Sequence, residues 1–103
     1  MNAQLLQEKA ADASSLLKVM ASESRLFILC QLVDGEKSVN HLEELVGMRQ
    51  SALSQHLAIL RREKLVTTRR AAQFIYYSLA SAEARTILET LYGIYCAPNA
   101  KRK

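Results

Sequence analysis

Apolar positions recur with a helical period along most of this chain and switch to a period of two in one stretch near residues 65–79. Leu6, Ala10, Ala13, Leu17 and Met20 follow a helical series, with Gln4, Gln7, Glu8 and Asp12 elsewhere on the wheel, and predict an amphipathic helix over residues 4–20. Ser22 is a candidate N-cap with Glu23 in the first turn, and the apolar run from Leu26 to Val33 continues to Asp34-Gly35, predicting a short, nearly all-buried second helix. Ser38 or Asn40 can cap a third helix, Asn40 being supported by Glu43 three residues on. Leu42, Leu45 and Val46 would form its inner face, and Gly47 the left-handed position at its end. Gly47-Met48-Arg49 then links it to a fourth helix. There Leu53, Leu57 and Leu60 share one side, while Gln50, Ser51, Ser54, Gln55, Ala58, Arg61 and Arg62 share an arc of roughly 140° on the other.

After Lys64 the period changes. Leu65 to Thr68 and Phe74 to Leu79 are rich in β-branched and aromatic residues and predict two strands around a turn at Arg69 to Gln73. Ser81 caps a last helix with Ala84, Ile87, Leu88, Leu91, Tyr92 and Tyr95 on one stripe. The order α-α-α-α-β-β-α is that of a winged helix-turn-helix: a mainly helical fold with a small β-hairpin as the wing. With 103 residues, 50% of them hydrophobic, the chain is expected to form a single domain over 1–103. The first and last helices, 1–20 and 81–96, carry more apolar surface than so small a core can cover and are expected to build a homodimer. Residues 97–103, ending in Lys101-Arg102-Lys103, read as a flexible basic tail.

A free polar helix face beside basic residues points to double-stranded DNA. Amides and hydroxyls can read base edges in a major groove, and arginines can hold phosphates. The net charge of +4 alone decides little, but its placement says more: Arg61, Arg62, Lys64, Arg69 and Arg70 fall between positions 61 and 70, opposed only by Glu63. The candidate DNA-binding residues are Arg49, Gln50, Ser51, Ser54, Gln55, His56, Arg61, Arg62, Arg69, Arg70 and Gln73. His56 sits between the two helix faces, so packing and DNA contact both stay open for it. Two such helices in a dimer would meet successive major grooves of a pseudo-palindromic operator.

The remaining features exclude more than they propose. No apolar run is long enough to span a membrane and no targeting segment is evident, so a cytoplasmic location is expected. There is no phosphate-cradling loop, nucleophile elbow or pair of catalytic carboxylates, and enzyme activity is not expected. Two histidines and two cysteines without short ligand spacing do not make a metal site, and no cofactor is implied. Cys30, in an apolar helix, has inert packing as its default. Cys96, near the end of the last helix and before Ala97-Pro98, is the better candidate for an accessible thiol.

With these residues laid out, the chain resembles the ArsR/SmtB family of winged-helix regulators over essentially its whole length. Ala21 to Leu29 (ASESRLFIL) is similar to the opening of that family's second helix. Ser51-Ala52-Leu53-Ser54-Gln55-His56-Leu57, Leu65-Val66 and Tyr77-Ser78-Leu79 are similar to its recognition helix and wing. Cys30 and Cys96 match the two cysteines of the HlyU/BigR/SqrR branch, which lacks metal-site cysteines. The resemblance implies dimers built on the first and last helices, promoter binding, and release of DNA when Cys30 and Cys96 join through a disulfide or polysulfide bridge under a persulfide or oxidant. It equally admits a regulator that senses nothing and acts by displacing a DNA-silencing protein or by binding a protein partner; metal-responsive repression is a third, weaker alternative. Three positions depart from the family pattern. Lys64 stands where many relatives carry Gly, at a cost of about 1 kcal/mol if left-handed; Arg49 replaces a Ser or Thr cap; and the turn Ala71-Ala72-Gln73 lacks the usual Gly.

Overall fold

A computed structural model of the protein describes residues 1–97. In chain order the elements are α1 (Ala3–Glu8), α2 (Ala10–Met20), α3 (Glu23–Val33), β1 (Lys37–Ser38), α4 (Val39–Val46), α5 (Gln50–Arg62), β2 (Val66–Ala71), β3 (Phe74–Leu79) and α6 (Ala82–Tyr95). The antiparallel sheet has the order β1-β3-β2. The winged helix-turn-helix read from the sequence is therefore present, with a third strand added. Most of the expected tail at 97–103 lies outside the described residues.

Local signals account for most boundaries. Ser22 Oγ accepts the Arg25 N–H at 3.2 Å and Ser81 Oγ accepts that of Ala84 at 3.0 Å, each satisfying an orphan amide at a helix start. The cap of α4 is Ser38, which accepts from the His41 N–H at 3.1 Å, and not Asn40. Gly47 closes α4 at φ 67° with its N–H on the Glu43 carbonyl, so Gly47, Met48 and Arg49 form the turn of the helix-turn-helix. Helix α5 ends in a Schellman motif: the Lys64 N–H donates to Arg61 O, the Leu65 N–H donates to Leu60 O, and Lys64 is left-handed at φ 67°. Leu60 and Leu65 are both buried, which supplies the apolar contact that accompanies this cap.

The core gathers Ile28, Leu29 and Leu32 of α3, Leu42 of α4, Leu53, Leu57 and Leu60 of α5, and Ala84 and Leu88 of α6, with Met20, Leu65 and Val66. Arg85 ties α6 to α3 by donating to the Val33 carbonyl at 3.1 Å.

Several expectations are corrected. The first helix is broken at Lys9, whose N–H turns back onto Leu6 O and Gln7 O; α1 buries no side chain, so no packing holds it in line with α2. Of the stripe read from the sequence, Leu6, Ala10, Ala13 and Leu17 are exposed and only Met20 is buried, as surplus apolar surface on this segment would have it; the face that α2 packs against the core is Leu16, Val19 and Met20. Leu45 is exposed, not on the inner face of α4. Helix α3 is not buried all round, since Phe27 and Cys30 face outward. Strand β2 runs on through Arg69 and Arg70 to Ala71, leaving a turn of only Ala72 and Gln73, with Ala72 at φ 56° as a tight hairpin requires of its first residue.

Candidate nucleic-acid interface and thiol pair

The buried row Leu53, Leu57 and Leu60 fixes the roll of α5 about its axis. It leaves Gln50, Ser51, Ser54, Gln55, Ala58, Arg61 and Arg62 exposed on the opposite side. Beside that face, a groove of about 510 Å³ runs between α5 and the wing, bringing Gln50 and Ser54 of α5 together with Gln73, Ile75 and Tyr77 of the hairpin. A second hollow continues it past Ser54 and Ala58 to Arg61 and Arg62. Arg62 also lies 3.5 Å from the Glu63 carboxylate, both well exposed. Arg49 precedes α5 with no side-chain cap bond. The first amides of α5 are therefore free to donate to an anion, with the positive end of the helix dipole behind them.

Two predicted site residues stand apart from this face. His56 is half-buried, with Nδ1 3.4 Å from the Arg25 guanidinium, whose Nε donates to Val19 O at 2.6 Å. Of the two readings open for His56, the structure favours packing. Arg69 is engaged by Glu36: its Nε reaches the two carboxylate oxygens at 2.9 and 3.1 Å, and its Nη2 meets Oε2 as well. The guanidinium also lies over the Tyr76 ring, 4.7 Å from the centroid. Hydrogen bonding to Arg69 holds the Glu36 carboxyl below its ordinary range. Sequence reasoning missed Glu36 and Tyr76, because the partners of Arg69 are set by sheet register and carry no local motif.

Cys30 of α3 and Cys96, at the end of α6, are both exposed. Burial pushes the Cys30 thiol up, and negative charge on Cys96 pushes it further, so packing of α6 on α3 brings within electrostatic reach two thiols far apart in sequence. Arg25, the cation nearest Cys30 in sequence, is directed to Val19 and His56. Among the described residues no group of His, Cys, Asp and Glu side chains is arranged to hold a metal ion. Among them, too, no helix is long and apolar enough to cross a membrane.

The sequence model described as "Bacterial regulatory protein, arsR family" matches residues 22–68, from the cap of α3 into β2. The chain is 50% identical over 99 residues to the transcriptional activator HlyU of Vibrio cholerae serotype O1, covering 96% of this chain and 92% of that protein. The chain belongs to the ArsR family. Among solved ArsR-type structures it is similar to reduced HlyU from Vibrio cholerae N16961, with a TM-score of 0.86 at 49% identity over 91% of this chain and 99% of that one. It is also similar to the transcriptional repressor BigR from Xylella fastidiosa, with a TM-score of 0.90 at 39% identity over 94% of this chain and 99% of the other. This ArsR-family chain is thus a DNA-binding transcription regulator and not an enzyme.

Proposed function

We propose that the protein binds a pseudo-palindromic operator as a homodimer whose DNA affinity is set by the state of Cys30 and Cys96. What supports the thiol reading is that both cysteines are exposed and that the packing of α6 on α3 brings Cys96 within electrostatic reach of Cys30. In each protomer Gln50, Ser51, Ser54 and Gln55 face base edges in the major groove. Arg49, Arg61, Arg62 and the wing, through Arg70 and Gln73, meet the sugar-phosphate backbone. Leu5, Leu6 and Leu17 at one end of the chain and Tyr92, Ile94 and Tyr95 at the other are exposed. A dimer over residues 1–20 and 81–96 would cover them and set two recognition helices about 34 Å apart.

The chemistry begins at Cys96, because burial disfavours the Cys30 thiolate. With a peroxide, the Cys96 thiolate takes the outer oxygen to become a sulfenic acid and releases an alcohol or water; Cys30 then displaces that oxygen as water and closes a disulfide. With an organic persulfide, Cys96 takes the outer sulfur and releases the thiol; attack by Cys30 on Cys96 sulfur then expels hydrogen sulfide. A second persulfide can first extend the chain on Cys96 by one sulfur, releasing a second thiol; attack by Cys30 on the middle sulfur then expels hydrogen sulfide and leaves a trisulfide bridge, which tolerates Cα separations beyond the roughly 7 Å limit of a direct disulfide.

A second reading, in which the cysteines are passive and the dimer acts by displacing a silencing protein or by holding a protein partner, draws on the same raised Cys30 thiol, a poor nucleophile. Mass and operator affinity measured before and after exposure to an organic persulfide, and separately to peroxide, decide between them. A bridge between Cys30 and Cys96, seen as loss of two hydrogens, with added sulfur where the bridge is a polysulfide, together with loss of DNA binding supports the switch. Unchanged affinity in the bridged protein overturns it.

A further inference from the structure

The two wing arginines are neighbours in sequence and opposites in space. Residues paired across neighbouring strands share a face of the sheet. Arg70 pairs with Ile75, and Ile75 lines the groove beside Gln50 and Ser54 of α5. Arg69 pairs with Tyr76, which stands between the groove-lining Ile75 and Tyr77 and does not line the groove itself, so strand alternation puts Arg69 on the other face. There its guanidinium crosses β3 over the Tyr76 ring and closes a fork on Glu36, one residue before β1. The side chain thus joins the outer strand of the wing to the opposite edge of the sheet. Strand β1 contributes only two paired residues, too few to hold itself, yet it leads directly into α4, the first helix of the helix-turn-helix.

Resting on the reading that the wing meets DNA, we propose that Arg69 is a positioning residue and not a phosphate contact: with Glu36 and Tyr76 it clasps the wing to the start of α4, and Arg70 alone carries the wing's charge to the backbone. A planar guanidinium suits this work, since it can stack on an aromatic ring while presenting two parallel donors to a carboxylate. The clasp fixes the angle between wing and recognition helix, and so the width of the groove in which Gln50, Ser54 and Gln73 meet.

The alternative, in which Arg69 is a phosphate contact held back by Glu36, predicts the opposite sign for one substitution. Operator affinity measured as a function of salt for Glu36→Gln, Arg69→Ala, Arg70→Ala and the exchange Glu36→Arg with Arg69→Glu separates the two. If the clasp positions the wing, Glu36→Gln and Arg69→Ala each weaken binding about threefold to tenfold per dimer at unchanged salt slope, and the exchange recovers affinity over either single change. Arg70→Ala flattens the slope by about 0.9 for each phosphate that is no longer neutralised. Stronger binding by Glu36→Gln, or a flatter slope for Arg69→Ala, overturns the clasp while leaving the wing on DNA. An unchanged slope for Arg70→Ala removes the wing from the DNA and the proposal with it.

Discussion

Lys64 offers a direct test of whether backbone strain has been read correctly at the end of the recognition helix. It holds φ 67° so that the Schellman bonds to Arg61 O and Leu60 O can form, and its side chain is exposed, so replacing it disturbs no packing. A residue with a Cβ in this region costs about 1–2 kcal/mol relative to glycine. Glycine returns about 0.5–1 kcal/mol of that through the greater freedom of the unfolded chain. Lys64→Gly is therefore expected to stabilise the fold by about 0.5–1 kcal/mol, which raises the melting temperature of a domain of this size by about 2–8 °C. Removing the lysine charge near the helix C-terminus works against this by about 0.3 kcal/mol or more. The proper reference is thus Lys64→Ala, which removes the same charge and keeps the strain. Urea unfolding followed by circular dichroism, at one protein concentration because dimerisation would shift the midpoint, gives the difference. A Lys64→Gly protein no more stable than Lys64→Ala would refute the strain argument.

Leu57→Ala empties a fully buried position between α5 and the rest of the core and should cost about 2–5 kcal/mol in the same urea experiment. Gln55→Ala, on the exposed side of α5, should leave the salt slope of DNA binding unchanged and relax sequence preference at one operator position by about 1–3 kcal/mol, measured against a panel of single-base variants. Glu36 has its carboxyl held below the ordinary range by Arg69, so its contribution to stability is present above the unfolded-state value and is lost as pH falls through the folded-state value. Acid unfolding of wild type and Glu36→Gln should therefore converge at the acid end and separate toward neutral pH, with wild type the more stable.

Elements longer than two turns with one large apolar face are legible in the sequence, as are the Ser22 and Ser81 caps and the leucine row that fixes α5. Helix α2 shows where that logic weakens. Leu16, Leu17, Val19 and Met20 spread over about 160° of its circumference, so two overlapping stripes satisfy the helical period, and only tertiary packing chooses Leu16, Val19 and Met20. Strand β1 is beyond reach because period-two alternation has no meaning over two residues. At the site, the polar face is legible residue by residue, but the two wing arginines are not separable. A turn drawn from Arg69 to Gln73 puts both at the tip. The hairpin's actual register extends β2 through them, and the alternation of a strand then sends Arg70 toward the groove and Arg69 toward Glu36. Cys30 escapes the sequence for a related reason: its apolar neighbours along the chain suggest burial, but its position on α3 faces outward beside Phe27.

Helix α3 gives the proposed switch a physical route to DNA. Arg85 fastens α6 to its C-terminal carbonyl at Val33, Ile28, Leu29 and Leu32 pack it into the core shared with α5, and Arg25 at its first turn meets His56 on the inner shoulder of α5. A sulfur bridge from Cys30 to Cys96 would act on the middle of this rod. Close-packed interiors deform little, so the bridge would be accommodated by moving α6 against α3, or the protomers against each other if α6 forms their interface, more readily than by compressing the leucine core. The required energy is modest: a hundredfold loss of operator affinity corresponds to about 3 kcal/mol. In a dimer that must place two recognition helices in register, a small rotation at the interface is multiplied by the distance to the DNA. The packing that orients α5 within its own protomer could then stay intact while the paired fit fails, which is why the thiols can lie far from the polar face and still govern it.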